Sequence, residues 1–201
     1  MAIPETGKSG LAGTRILTFP QDAVPARFRS QVIALRDLVW PRSDSERPPG
    51  HDLALDPLWL LLIDEQEAVA AALAILSKPI THLSQRYSAS GLSAVVTDPR
   101  RRGRGYGHRL VTVARELIAE SGRDLGIFTC DQPLANFYVR AGWRLLPGTV
   151  LVGGTPEAPF PSDQLDKVTL GEFFTHHART HAADFEGARI ELYPGELDRL
   201  W

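Results

Sequence analysis

Alternating arginines and glycines form the part of this chain best suited to chemistry. They occupy the run Arg102-Gly103-Arg104-Gly105-Tyr106-Gly107, which follows the strand-like stretch Val95-Val96-Thr97-Asp98-Pro99 and precedes the amphipathic stretch His108 to Ser121. Glycine lets backbone N–H groups converge without a Cβ in the way, and a helix N-terminus adds a partial positive charge. The sequence therefore predicts a strand, a glycine-rich loop and a helix start that together bind the pyrophosphate of a cofactor.

The spacing of these glycines excludes two common phosphate motifs. A dinucleotide-binding fingerprint needs G-x-G-x-x-G, and a P-loop needs a lysine followed by serine or threonine. Here the glycines alternate as G-x-G-x-G, and no lysine follows them. Arg100 and Arg101, which precede the loop, are either further phosphate contacts or surface charge.

A second segment follows about twenty residues later and has its own pattern. The apolar run Leu125 to Cys130 predicts a buried strand, and Pro133 to Arg140 predicts a short helix. Gly142 stands where a helix commonly ends, and Trp143 opens another strand. The segment reads Ala135-Asn136-Phe137-Tyr138-Val139-Arg140-Ala141-Gly142-Trp143.

Both segments resemble the motifs of the GNAT superfamily of N-acetyltransferases. The first matches P-x-x-R-G-x-G-x-G, and together the two segments cover residues 92 to 146. The second resembles A-x-x-F-Y-x-x-x-G-[FW] and has one residue fewer between its alanine and its phenylalanine. The resemblance implies an α/β fold in which a mixed, strongly twisted central sheet carries helices on both faces. It also implies direct transfer from acetyl-CoA to an amine. Tyr138 is then the general acid, and the cofactor is bound by the glycine loop, by Asn136 and by the backbone of Val95, Val96 and Thr97.

Within that superfamily the chain resembles the aminoglycoside 2'-N-acetyltransferases most. Both end in a strand, an acidic segment and a terminal tryptophan, here Glu191 to Trp201. In that family the terminal carboxylate and a nearby aspartate hold the ammonium groups of the antibiotic, which places Asp198 and Trp201 in the acceptor site. A C-terminal carboxylate carries a fixed negative charge at neutral pH that suits a polycation. The alternative is a tail that is merely docked by its tryptophan.

The identity of the catalytic base stays open. The related enzymes carry a glutamate on the strand before the glycine loop, where this chain has Ser93, a poor base at neutral pH. Asp131, just past the opposing strand, is the first substitute and the Trp201 carboxylate the second. Asp44 and Asp52, in the loop after the first predicted helix, are acceptor candidates or solvated surface charges.

Because of these departures, the sequence is compatible with several acceptors. The leading candidate is a gentamicin-like or a kasugamycin-like aminoglycoside, whose acetylation would give resistance to the drug. A protein or peptide N-terminus is the alternative substrate. The non-enzymatic alternative is a domain that senses acetyl-CoA by binding it without turnover. The partner is therefore expected to be a small-molecule amine, and a homodimer is expected.

Composition narrows the class of protein further. Lys plus Arg number 22 and Asp plus Glu 24 in 201 residues, so the formal charge of −2 gives no nucleic-acid signature. A single cysteine, Cys130, excludes an internal disulfide and fits a reduced core thiol. His176, His177 and His181 lack the acidic partner of a zinc motif, so no metal is expected. The start of the chain has no apolar signal segment, which predicts a cytoplasmic protein without a membrane partner.

The remaining pattern predicts one domain over residues 14–201 behind a loose tail over residues 1–13. Its first helix should bury an apolar stripe formed by Phe28, Val32, Leu35 and Leu38. The expected strands are 14–19, 58–63, 68–76, 87–97 and, at the end, 188–193. The stretch 165–185 gives a mixed pattern that aligns with no part of the related enzymes.

Overall fold

A computed structural model describes residues 13–41 and 50–192 of the chain. Two sheets and four α-helices form the described part. The strands are β1 (Thr14–Pro20), β2 (Leu58–Asp64), β3 (Val69–His82), β4 (Gln85–Thr97), β5 (Leu125–Asp131), β6 (Arg144–Leu145), β7 (Val150–Gly154), β8 (Pro159–Pro161), β9 (Lys167–Phe173) and β10 (Arg189–Glu191). The helices are α1 (Ala26–Val39), α2 (Tyr106–Glu120), α3 (Ala135–Arg140) and α4 (His176–Thr180).

The main sheet has the strand order β1-β2-β3-β4-β5-β9-β6. Its neighbours are antiparallel except β4 and β5, which run parallel because α2 crosses over between them. Strands β2 and β3 are buried at successive positions, from Leu60 to Ile63 and from Ala70 to Ala74, so both faces of the sheet are covered. The expected mixed α/β sheet with helices is confirmed.

Cross-strand register shows which helix covers which face. Trp59 pairs with Ala74, and Ala74 pairs with Ser93, so these three side chains share one face. The guanidinium carbon of Arg36 on α1 lies 5.8 Å from the centroid of the Trp59 ring. We call this side the α1 face.

Helix α2 covers the opposite side, which we call the α2 face. Thr97 pairs with Ala71, one residue out of phase with the set on the α1 face. A Cβ placed on Gly107, in the first turn of α2, would lie 2.9 Å from Thr97 Oγ1. At β4 the main sheet therefore has α1 on one face and α2 on the other.

The chain beyond β6 builds a second layer on the α1 face. A small sheet of order β10-β7-β8 forms there, and the Lys78 ammonium donates to the Leu192 carbonyl where β10 ends. Burial lowers the pKa of Lys78. Phe185, next to α4, packs edge-on against Tyr87 and Phe173 of the main sheet, with ring centroids 5.3 and 5.1 Å apart.

Most predicted elements are present, with two changes. Phe28, Val32 and Leu35 are buried as expected. Leu38 is 67% exposed because, at 3.6 residues per turn, it lies about 90° around α1 from that stripe. The stretch 165–185, which gave only a mixed pattern, contains β9 and α4. Of the predicted tail over residues 1–13, residues 1–12 lie outside the described residues.

Candidate active site

The site begins where two parallel strands separate. Strands β4 and β5 pair at Ala89 with Leu125 and at Ser90 with Gly126, and their described ladder goes no further. Both strands continue, β4 to Thr97 and β5 to Asp131, so a wedge-shaped gap opens between them. The backbone N–H and C=O groups on this edge of β4 find no strand partner and are available to an extended ligand.

A β-bulge lies on the β4 side of this gap. The register of β4 against β3 jumps from Ser93 opposite Ala74 to Val96 opposite Ala72, so Ala94 and Val95 together face one residue. Ala94 has a φ of 50°, in the left-handed region that costs a residue with a Cβ roughly 1–2 kcal/mol. A bulge re-aims the backbone locally and is common beside active sites. The strain therefore lies at the point where the strands part.

The glycine loop closes the end of the gap nearest α2. Gly103 and Gly105 have φ values of 78° and 77°, and Gly105 is the N-cap of α2. The first intrahelical acceptor is the Gly105 carbonyl, which takes a bond from Arg109, so the N–H groups before Arg109 point out of the helix. Converging N–H groups at a helix N-terminus suit an anion, so the geometry is compatible with the predicted binding of a pyrophosphate, which stays a prediction.

The arginines around this loop have different surroundings. Arg101 forms ion pairs with Asp64 at 2.5 Å and with Asp98 at 3.4 Å, so it ties the loop to β2. Burial raises the pKa of Asp64, but hydrogen bonds from Ala68 and Arg101 and the Arg101 charge hold it below its usual value. Arg102 lines the gap, whereas Arg104 lies in a neighbouring polar cleft that also contains Arg100.

One cavity of about 780 Å³ joins the loop to the gap between the strands. Its lining contains nine of the predicted cofactor residues and both predicted catalytic residues. The predicted members are Val95, Val96, Thr97, Arg102, Gly103, Gly105, Tyr106, Gly107, Asn136, Asp131 and Tyr138. Residues that the sequence left unassigned complete it, among them Val39, Trp40, His108, Leu134, Phe137 and Arg140.

Tyr138 lies at the inner end of this cavity on α3. Its side chain is buried, with ring centroids 5.1 Å from Phe128 and 4.9 Å from Phe137. Burial raises its pKa, and the nearby Cys130 and Asp131 add to the rise. The phenol therefore stays protonated across the neutral range and can donate a proton into the cavity.

The A-G-W end of the second motif supports this tyrosine. Gly142 has a φ of 90° and ends α3, which turns Trp143 back under the sheet. The Trp143 ring packs edge-on against Phe128 at 4.8 Å and needs Gly126 below it, since a Cβ there would lie 2.6 Å from the indole. The motif thus has a packing role, because Phe128 contacts both Trp143 and Tyr138.

Cys130 lies on β5 close to the cavity, yet its thiol is unsuited to nucleophilic attack. Burial raises its pKa to about 11, with a further rise from Asp131 and a smaller lowering from Lys167. Since the thiolate is the reactive form, almost none is present at neutral pH. A ternary complex without an acyl-enzyme agrees with this environment.

The acceptor candidates fall into two groups. Asp131 lines the cavity but is exposed, and one of its oxygens accepts a bond of 2.5 Å from Lys167 Nζ. Ser93 is half-buried on the α1 face beside the bulge. Asp52 instead caps a short 3-10 helix by accepting from Ala54 N at 2.9 Å and does not line the cavity. Asp44, Asp198 and Trp201 lie outside the described residues.

A strand that parts at a bulge, a glycine loop at a helix start and a buried tyrosine define a CoA-dependent acyltransferase. Comparison with protein families agrees, since the acetyltransferase (GNAT) domain matches residues 24–146. The chain belongs to that family. It is an N-acetyltransferase that takes acetyl-CoA as its cosubstrate. No curated protein sequence matches the chain.

Solved structures share the fold at low sequence identity. The GNAT family N-acetyltransferase YhbS from Escherichia coli, in complex with CoA, has a TM-score of 0.60 and 16% identity over 92% of this chain and 92% of its own. An acyl-CoA N-acyltransferase from Pseudomonas aeruginosa has a TM-score of 0.56 and 17% identity, over 79% and 99%. The NatC complex bound to Gag peptide and CoA has a TM-score of 0.53 and 13% identity, over 80% of this chain and 99% of its own.

No helix within residues 13–41 and 50–192 is long and apolar enough to cross a bilayer.

Proposed function

We propose that this protein acetylates a primary amine of an aminoglycoside by direct transfer from acetyl-CoA. The observation that carries the transfer is the single cavity in which the glycine loop, the bulged strand β4 and Tyr138 meet. The loop N–H groups and Arg102 hold the pyrophosphate, and the unpaired edge of β4 holds the extended arm of the cofactor. This places the thioester in the gap between the two strands.

The transfer then needs one bond exchange and two proton movements, and a third proton movement afterwards regenerates the acid. The amine nitrogen attacks the thioester carbonyl carbon, and the developing oxyanion accepts bonds from backbone N–H groups near the bulge. The C–S bond breaks, and the leaving thiolate takes the proton of the Tyr138 hydroxyl. The amine proton leaves to a base, and a proton from solvent restores the phenol.

Asp131 is the base that we propose, acting directly or through water. It is the carboxylate within the described cavity lining, and its register places it on the α1 face, opposite the side of Tyr138. The ion pair with Lys167 engages Asp131 Oδ1, and we propose that Oδ2 takes the proton of the amine. Ser93 is a positioning group on the same face rather than a base.

The aminoglycoside assignment rests on the acidic tail of the sequence. A polycation needs local negative charge in a chain with a formal charge of only −2, and Glu196, Asp198 and the Trp201 carboxylate supply it. Leu192, the last described residue before this segment, is fixed by a backbone bond to Val152 and by Lys78. The tail therefore starts on the α1 face, from which an acceptor must approach.

The test is a variant that lacks Trp201 and a second that carries a short neutral extension after it. Both should raise the aminoglycoside KM about tenfold or more, about 1.4 kcal/mol, with the acetyl-CoA KM nearly unchanged. High salt should reproduce part of the loss in the unmodified enzyme by screening. An extension of equal length at Met1 is the matched control. Unaltered KM values in both C-terminal variants would place the acceptor site elsewhere.

A peptide N-terminus is the second candidate. Trp40 and Leu134 line the cavity and are 41% and 47% exposed. Exposed apolar side chains at a binding cavity suit a peptide side chain better than a sugar. The NatC complex, which shares the fold, was solved with a peptide. CoA release measured with an aminoglycoside panel and with peptides of varied first residue separates the two candidates. Tight acetyl-CoA binding without release for any amine would favour a sensing domain.

A homodimer remains part of the proposal, and its test is the mass of the purified protein by light scattering.

A further inference from the structure

A second cavity lies on the α1 face, apart from the cofactor cavity. It has a volume of about 370 Å³ and is bounded by α1, by the turn after β1, by the segment around Gly50 and by the start of β2. Small-molecule sites in proteins commonly have volumes of roughly 300–1,000 Å³. The proposed transfer of acetyl to an amine gives this cavity no role.

The walls of this cavity are apolar and fixed. Val24, Val32 and Trp59 line it and are 5%, 5% and 4% exposed. Trp59 Nε1 donates a hydrogen bond to Gln21 Oε1, with 3.4 Å between the two atoms, so the indole presents its carbon atoms to the cavity. Charged side chains of the lining, Asp22 and Arg29, are exposed at the rim. An apolar group fits such walls, because the described lining residues include no buried carboxylate to pair with an ammonium.

Gln21 also holds the outer wall in place. Its amide exchanges two hydrogen bonds of 2.7 Å with the backbone of His51, one in each direction. Gly50 lies against the same amide, and a Cβ there would come within 2.8 Å of it. The cavity is therefore preformed by bonded groups rather than by a loose loop.

Two independent distances relate this cavity to the point of transfer. Along α1, one stripe carries Arg29 and Ile33 at the second cavity, Arg36 above Trp59, and Trp40 at the cofactor cavity. Ile33 and Trp40 are about 10 Å apart along the helix axis. Across the sheet, Trp59 at the cavity floor is two strand spacings, also about 10 Å, from Ser93 beside the bulge.

We infer that the second cavity binds an apolar group of the acceptor, placed about 10 Å from the amine that receives the acetyl group. The inference rests on the proposed amine acetylation and adds a second class of acceptor to it. An aminoglycoside offers no apolar group of this kind, so its acetylation leaves the cavity empty and does not depend on it. An amine with an aryl or branched alkyl end fills it.

The experiment is a series of phenylalkylamines of increasing chain length, with CoA release as the readout. In the native protein kcat/KM should rise roughly fourfold per added methylene until the ring reaches the cavity, and then level off. Ile33→Trp fills the cavity from α1 and should abolish the rise while leaving the kinetics of the shortest amine unchanged. Ala34→Trp is the matched control, because Ala34 is exposed on the same helix and lies outside the lining.

A second pair of variants tests the same wall without added bulk. Leu53 lines the cavity and is 65% exposed, while Leu83 is 67% exposed at the far turn between β3 and β4. Leu53→Asp should reduce kcat/KM at least tenfold for the longest amines only, and Leu83→Asp should leave the whole series unchanged. Equal losses for short and long amines in Ile33→Trp and Leu53→Asp would overturn the inference, as would a native series without any rise.

The inference and the proposed function fail in different ways. Acetylation without length dependence rejects the apolar subsite and leaves amine acetylation intact. If no amine releases CoA, calorimetric titration of the longest phenylalkylamine decides the subsite instead. Binding to the native protein and to Ala34→Trp, with loss in Ile33→Trp and Leu53→Asp, supports it, and any other pattern rejects it.

Discussion

Replacing Tyr138 by phenylalanine tests the assignment of the acid that protonates the leaving thiolate. The substitution removes one oxygen and keeps the ring that packs against Phe128 and Phe137. Because the ring contacts remain, the thermal midpoint should change by no more than a few degrees. General acid catalysis typically contributes about 10² to 10⁴ in rate, so kcat should fall by that factor, about 2.7–5.4 kcal/mol.

The assay is CoA release at saturating acetyl-CoA, with the acetyl-CoA KM measured beside kcat. That KM should stay within about twofold, because the cofactor is held by the loop and the β4 backbone. An acetyl donor whose thiol leaves more easily should narrow the gap between the two enzymes. A Tyr138→Phe enzyme with native kcat and unchanged stability would refute the assignment and reduce the tyrosine to a packing residue.

The pH dependence of this tyrosine has a definite sign. Burial raises its folded pKa above the usual value near 10, so the group contributes stability that is complete below about pH 10 and is lost as pH rises through the folded pKa. The native protein should therefore lose more stability than Tyr138→Phe when the pH rises from about 9 to 11. The difference between the two midpoints measures this contribution, and parallel loss in both would contradict it.

Four further substitutions test the cofactor loop, the thiol and the base. Arg102→Ala and, separately, Gly105→Val should each raise the acetyl-CoA KM about tenfold in a folded protein. The first removes a cation, and in the second valine disfavours the φ of 77°. Unchanged cofactor affinity by calorimetry would reject the loop assignment. Cys130→Ala should keep kcat within about threefold, and the native thiol should react slowly with iodoacetamide at pH 8, since its pKa is about 11; a lost activity would indicate an acyl-enzyme. Asp131→Asn should lower kcat about 10² to 10⁴-fold without moving the acetyl-CoA KM, and a native rate would leave the base to solvent or to the chain end.

The sequence predicted the cofactor side of the site because that side is local in the chain. The strand end, the glycine loop and the start of α2 are consecutive from Val95 to Gly107, so their types and spacing determine the geometry. Each glycine in the loop has a structural reason. Gly103 and Gly105 adopt a positive φ, and Gly107 approaches Thr97 too closely for a Cβ.

The acceptor side depends on pairing across the sheet, which a sequence does not display. The bond between Asp131 and Lys167 exists because β9 pairs with β5 in a register that sets these two residues opposite each other. The stretch that contains β9 gave only a mixed pattern, so no local signal marked Lys167. Leu38 was placed in the core by approximate helical spacing, but at 3.6 residues per turn it lies about 90° from the buried stripe and faces solvent.

The division between the two faces of the sheet gives the proposed reaction its order in space. Phe128 and Cys130 point to the α2 face, where Tyr138 packs on them, whereas Asp131 points to the α1 face because successive residues of a strand alternate. The acid and the proposed base thus approach the gap between β4 and β5 from opposite sides. In the proposed reaction the donor enters beside α2 and the acceptor beside α1, and the two meet where the strands part. The bulge at Ala94 lies at this meeting point, so its strained backbone is best explained by the need to aim β4 at both substrates.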